Sequence, residues 1–160
     1  MNLIPQHTEV LVSSLTANEV VRRLDAVTKN VSYLQVEDFQ VQKIFNGKVK
    51  EDTFHLSLSV DSGDTFLPLI HGNIDHTRAG CILFIKYTLF PGSIFFLYFW
   101  LVVTFLIGLF FLILEKNWTF ALLSYGAGVG NLAFAWAHFN RKVKKSQYIF
   151  REMLSLQSTD

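Results

Sequence analysis

The sequence predicts an α+β protein: a small curved antiparallel sheet with an N-terminal and a C-terminal helix, interrupted by a two-helix transmembrane hairpin. Three patterns carry this expectation. Apolar residues recur at helical spacing near the start of the chain, alternate with polar ones through its middle, and then run almost unbroken on either side of Lys116. The implied organisation is a cytosolic β-α-β-meander over residues 1–90 and a membrane hairpin over 91–139, with helices at 92–114 and 118–139. A C-terminal amphipathic helix over 140–160 then packs back on the first domain.

Residues 7–13 alternate as a short strand. Thr16 and Glu19 have the spacing of a capping box, in which each side chain satisfies an orphan backbone N–H, and Leu15 with Val20 has the spacing of a hydrophobic staple. Val20, Leu24 and Val27 then give one apolar helix face, leaving Arg22, Arg23 and Asp25 for water. From Phe39 the period becomes two. Phe39-Gln40-Val41 reads as a strand, and Phe54, Leu56, Leu58 and Val60 alternate with His55, Ser57 and Ser59 as another with one wet face. Asp61-Ser62-Gly63-Asp64 predicts a turn. Residues 66–77 and 81–89 predict a strand pair around Thr77-Arg78-Ala79-Gly80, where Gly80 supplies the positive φ of a tight turn. The result is an antiparallel meander of about four strands. Gly47 and Gly72 inside strands mark bulges or close backbone approach, and Pro68 fits only an edge or bulge, which is why the sheet is expected to curve.

Residues 92–114 carry no charge, and about 17 of them are Leu, Ile, Phe or Val, so insertion into a bilayer is favourable by several kcal/mol. Residues 118–139 have the right length but only about seven such residues, with several glycines and Asn131 near the middle. This second helix needs a partner. Gly126 and Gly130 form a small-xxx-small pair that Ala133 and Ala137 continue, and the short Glu115-Lys116-Asn117 loop makes the first helix the nearest neighbour, through Gly108 and Thr104. Arg141, Lys142, Lys144 and Lys145 follow the second helix at once, whereas the loop pairs one Lys with one Glu, which predicts both termini in the cytosol. The tail after Arg141 is helical in pattern, with Val143, Ile149, Phe150, Met153 and Leu156 apolar, and is expected to extend the second helix before docking on the sheet.

Lys+Arg 14 against Asp+Glu 13 leaves a net charge of +1, which argues against nucleic acid as a partner. A lone cysteine, Cys81, allows no internal disulfide and fits a reducing compartment. The first residues lack an apolar core of the signal-peptide kind, so no cleavable signal is expected.

Each polar or glycine-rich cluster has a functional reading and a plainer one. Gly126-Ala127-Gly128-Val129-Gly130 lacks the preceding strand and the spacing of a nucleotide loop and reads as helix packing. Asn131 reads as an interhelical hydrogen bond that keeps it from lipid. His55, His71 and His76, with Asp75, read as exposed sheet side chains rather than a metal cluster, and His138 as an amphipathic ring at the membrane boundary. Arg141, Lys142, Lys144 and Lys145 read as a topology signal compatible with lipid head-group contact. Asn30-Val31-Ser32 and Asn117-Trp118-Thr119 match the glycosylation pattern but are placed in the cytosol and against the membrane. No serine lies in a nucleophile-elbow pattern, so no catalytic, cofactor or metal site is expected.

Phe45-Asn46-Gly47-Lys48-Val49, Phe54, Phe66-Leu67-Pro68-Leu69-Ile70-His71-Gly72-Asn73-Ile74, Pro91 and Trp100 together resemble a loose family of small uncharacterised bacterial two-transmembrane-helix proteins. The shared pattern is an F-x-G-x-V strand, an F-x-P-x-I-x-G-x-I strand and two membrane helices, over about half of the chain. The sequence departs from it at Gly80-Cys81, where that family tends to have Gly-Thr. The resemblance implies a bacterial inner membrane and brings no site residues.

The function expected is that of a membrane-anchored interaction module. Its partners would be membrane lipids and a membrane protein, or a second copy, reached through Gly126, Gly130, Asn131, Ala133 and Ala137. The alternative is a tethered binding domain for lipid or another apolar ligand, its cup lined by Phe39, Phe54, Phe66, Ile82 and Phe84.

Overall fold

The computed structural model describes residues 4–30, 44–59 and 65–155. Strand β1 (Gln6–Ser13) leads into helix α1 (Ala17–Val27), which passes directly into a short strand β2 (Thr28–Asn30). Then come β3 (Phe45–Val49), β4 (Thr53–Leu58), β5 (Pro68–Thr77), β6 (Gly80–Leu89) and two long helices, α2 (Pro91–Ile113) and α3 (Trp118–Ser155). The strands form one open sheet in the order β1-β6-β5-β4-β3-β2.

The meander expected through the middle of the chain is β3 to β6, all antiparallel. The sheet as a whole is mixed, which corrects the expectation of a purely antiparallel one: β2 runs parallel to β3. Thr28-Lys29-Asn30 has neither length nor alternation to announce a strand, and it pairs only because α1 ends against the sheet. The strand expected at Phe39-Gln40-Val41, the turn at 61–64, Val60 and Leu156 lie outside the described residues. The first strand closes the other edge by pairing antiparallel with the last.

At the head of α1, Thr16 accepts the Glu19 backbone N–H at 3.4 Å. Only that half of the expected capping box forms, because the Glu19 carboxylate turns instead to Arg22 and Arg23. Those two hydrogen bonds hold its carboxyl below the usual range. Arg23 does not face water as expected: it reaches the Met153 carbonyl at 2.9 Å, tying α1 to the end of α3.

One face of the sheet is covered by α1 and the C-terminal half of α3. Phe45, Phe54, Leu56, Ile70, Leu83, Ile85 and Tyr87 point into this core and meet Val20 and Leu24 of α1 and Phe139, Val143, Phe150 and Met153 of α3. Phe150 stacks on Phe45 at 5.2 Å between ring centres and lies 5.8 Å from Phe54. Gly72 is required beneath this cluster, since a Cβ there would lie 2.0 Å from the Phe54 ring. Gly80, at φ +142°, makes the β5–β6 turn as expected, and a side chain would strike the Ser13 carbonyl.

The first strand of the last pair begins later than its apolar pattern. Phe66 precedes β5 and reaches the helices, against Phe96 of α2 and Phe134 and His138 of α3. Beside it Ser93, in the first turn of α2, donates its hydroxyl to the Thr65 carbonyl. The two helices then pack antiparallel through a tight turn in which Lys116 takes a positive φ and Asn117 caps α3 by accepting the Phe120 N–H. Beyond that turn α3 continues without a break for 38 residues, about 57 Å at 1.5 Å per residue, so the second apolar run and the amphipathic tail are one helix. Both α2 and α3 are long and apolar enough to cross a membrane.

The packing of α3 yields a direct stability prediction. Phe150→Ala is expected to cost about 3–5 kcal/mol, as for other buried phenylalanines, measured as thermal or denaturant unfolding of the purified chain. Tyr148→Ala, on the exposed side, should stay within about 0.5 kcal/mol of the parent.

Candidate functional site

The seam between α2 and α3 is set by small residues, but not by the stripe the sequence suggests. Gly108 of α2 receives the Tyr125 ring, and Gly128 of α3 receives Thr104. Ser124 donates to the Thr104 carbonyl at 2.7 Å, and Ala121 and Ala135 are buried. A Cβ added at Gly126 or Gly130 would meet nothing within 4 Å among the described residues, and Ala133 and Ala137 are exposed. The expected contacts of this stripe with Gly108 and Thr104 are thus corrected: those residues meet Tyr125 and Gly128. At 3.6 residues per turn the stripe falls on roughly the opposite side of α3 from Ala121, Gly128 and Ala135. Asn131 is half-buried and by the same measure lies nearer the buried side than the stripe.

The open side of α3 continues into large apolar residues. Leu122, Leu123, Val129 and Phe134 stand exposed, and Thr119, Leu122, Leu123, Gly126 and Ala127 line a shallow apolar depression. On α2, Phe95, Phe99, Val102, Phe105, Leu106 and Phe110 are exposed as well. Arg141, Lys144 and Lys145 follow on the exposed faces of α3, with Lys142 half-buried.

The cup proposed for an apolar ligand is not assembled from the residues named for it. Phe54 and Phe66 are buried and packed against rings, whereas Ile82 and Phe84 alternate with Cys81, Leu83 and Ile85 and so point to the opposite face, which no described element covers. Phe39 lies outside the described residues. The Cys81 thiol is buried, and burial pushes it up from its ordinary value, which disfavours the reactive thiolate.

Three polar groupings were not legible from sequence. Arg151 donates to Glu9 at 2.8 Å and the Gln147 amide to His7 Nε2 at 3.0 Å, fastening α3 to β1. Burial, then the Glu9 charge, pushes the fully buried Tyr87 phenol beside them well up, so it stays protonated. His76 pairs with Asp52 at 3.0 Å, away from Asp75. On the uncovered face His55 and His71, partners across β4 and β5, bring their Nδ1 atoms to 2.6 Å with rings edge to face. Among the described residues no three His, Cys, Asp or Glu side chains are grouped to hold a metal ion.

Comparison with protein-family models, with curated proteins and with solved structures finds no match.

His71 gives the site a pH dependence with a definite sign. Burial first, then the charges of His55 and Lys86, hold it below the ordinary value of 6.5. As pH falls through that value the unfolded chain takes up a proton before the folded one, so stability is complete above it and is lost toward acid. His71→Gln is expected to flatten the fall in melting temperature between about pH 7 and about pH 5. An unchanged slope would place the acid sensitivity elsewhere.

Proposed function

We propose that this chain is a two-pass membrane-anchored interaction module, with a small α+β domain held at the membrane face by α2 and α3. The observation that carries the reading is the exposed apolar surface on both helices. A monomer in water rarely exposes contiguous apolar patches beyond a few hundred Å², and here Phe95, Phe99, Val102, Phe105, Leu106 and Phe110 of α2 and Leu122, Leu123, Val129 and Phe134 of α3 lack cover among the described residues. Lipid supplies that cover without a further constraint on shape. The charge-free core of α2 and the basic residues just past the apolar part of α3 support the same placement, with both termini on the cytosolic side. The likeness to small bacterial two-helix membrane proteins favours a bacterial inner membrane.

The interaction side of the reading rests on the outward stripe of α3. Gly126 and Gly130 leave a backbone-deep strip that the exposed Ala133 and Ala137 continue, the arrangement that allows close approach of another membrane helix. A membrane-protein partner, or a second copy of this chain, is the occupant proposed.

Two experiments test the two halves. Single cysteines introduced at Lys116 and at Lys144 in a Cys81→Ser background should label from opposite sides of sealed vesicles; labelling from one side removes the two-pass reading. Gly126→Leu with Gly130→Leu should insert and fold as the parent does, since both positions open outward, yet lose crosslinks to the co-purifying partner or copy. Gly128→Leu, which strikes Thr104, should instead destabilise the hairpin itself. Crosslinking that survives the paired leucines would show the stripe is not the interface.

A further inference from the structure

The uncovered face of the sheet carries a row of basic side chains running straight across four strands. Lys48 of β3 is the cross-strand partner of His55, His55 of His71, and His71 of Lys86, and the row ends at Thr8 of β1. With the histidine pair protonated, like charges would stand directly opposite one another across the strands, which destabilises a sheet, so the protonated row calls for a counter-charge. Among the described residues none is supplied nearby. The flanking rows on this face hold Asn46, Ser57, Leu69, Thr88 and Gln6 on one side and Thr53, Asn73, Phe84 and Val10 on the other. The nearest carboxylate of β5 on this face, Asp75, is four residues from His71, about 13 Å along the strand. The helices α1 and α3 pack on the other face, so Lys48 and Lys86 are the charged groups facing the histidines among the described residues.

The histidine geometry defines what the row offers. At 2.6 Å, one Nδ1 must donate and the other accept. In the neutral pair the accepting ring carries its proton on Nε2, while the donating ring presents a bare Nε2 lone pair. A single proton added to that lone pair keeps the Nδ1–H···Nδ1 bond and leaves an Nε2–H on both rings. The protonated row then presents two imidazole N–H donors between two ammonium groups. A divalent cation fits worse: it would sit between two lysines, and tetrahedral coordination at about 2.0–2.1 Å to each nitrogen requires them farther apart than they are.

We propose that the Lys48–His55–His71–Lys86 row binds a tetrahedral oxyanion of the phosphate type, and that the histidine pair takes up one proton as the anion binds. The depressed proton affinity of His71 fits this role, because an anion beside the ring would offset the cost of protonating it. The anion can be a free phosphate group or a lipid phosphomonoester head group. The first source is independent of membrane insertion; the second rests on the two-pass reading.

The test uses the full chain in phosphatidylcholine nanodiscs with imidazole resonances assigned by NMR, His7 and His76 serving as internal references. Sulfate, whose charge is constant across the range, is titrated at about pH 8 and about pH 6. Saturable shifts of His55 and His71 are expected, with affinity rising toward acid by up to about tenfold per pH unit, the limit for uptake of one proton. Lys48→Gln and Lys86→Gln should each weaken binding roughly two- to fivefold, the scale of one exposed charge pair, while Lys50→Gln leaves it unchanged. Inorganic phosphate and, in a separate arm, nanodiscs containing phosphatidic acid then distinguish the sources: shifts in the lipid arm alone identify a head group, and shifts with phosphate alone a soluble ligand. Absence of saturable shifts in every arm overturns the proposal, as does a response to zinc ion alone or unchanged affinity in both lysine variants. Affinity independent of pH overturns the proton uptake.

Discussion

The structure depends on one uninterrupted seam along α3. Ala121, Gly128 and Ala135 are buried in its first half, and Phe139, Val143, Ser146, Phe150 and Met153 in its second. At 3.6 residues per turn all eight lie within about 40° of a single line. The same side of one helix therefore closes on α2 at one end and on the sheet at the other. Small residues serve the first contact because the aromatic side chains of α2 and Tyr125 fill the interhelical space; large ones serve the second because the open sheet leaves a layer to be filled. Ser146, the polar member of the seam, is tolerated because its hydroxyl bonds back to the Lys142 carbonyl at 3.0 Å.

Continuity of that seam explains why both sides of the molecule that remain open do so. Once α3 commits Phe150 to the cluster with Phe45 and Phe54, its opposite side cannot reach any other part of the described chain, and Gly126, Gly130, Ala133 and Ala137 are left outward. The sheet is constrained likewise. Alternation that sends Phe54, Leu56, Ile70, Leu83 and Ile85 toward α1 and α3 must send His55, His71, Phe84 and Lys86 away from them.

Much of this was legible in the sequence wherever a signal was local. The charge-free run before Lys116, the Thr16 cap and the alternation through Phe54, Leu56 and Leu58 each reflect a rule that acts within a few residues. What escaped depends on distant partners. Nothing within β1 says that it pairs with β6, some seventy residues on, and nothing in Thr28-Lys29-Asn30 says strand. In the second apolar run two small-residue spacings compete, Gly126 with Gly130 and Ala121 with Gly128 and Ala135. The choice between them is made by Tyr125 filling the hollow at Gly108, a fit that belongs to two helices at once. The meeting of His55 and His71 required the pairing register, although the alternation already put both on the wet face.

A helix packed this way transmits motion as a rigid rod. Rotation of α3 about its axis by a contact on its outward stripe cannot be confined to the apolar half, because no glycine-proline break or kink separates Ala135 from Phe139 within the 38-residue helix. The turn would carry Phe150 away from Phe45 and Phe54 and strain the Glu9–Arg151 and His7–Gln147 contacts that fasten α3 to the edge strand. The Gln147–His7 contact is exposed and contributes little, whereas withdrawing Arg151 would leave the largely buried Glu9 carboxylate without its cation, and the ring cluster resists at the level of a buried aromatic. Sliding along the helix axis meets the same resistance from Tyr125 in its hollow and from Thr104 against Gly128. The sheet domain is thus geared to the apolar helices through side-chain packing, and a partner docking on the stripe without displacing the seam must accept the domain in the orientation that packing fixes.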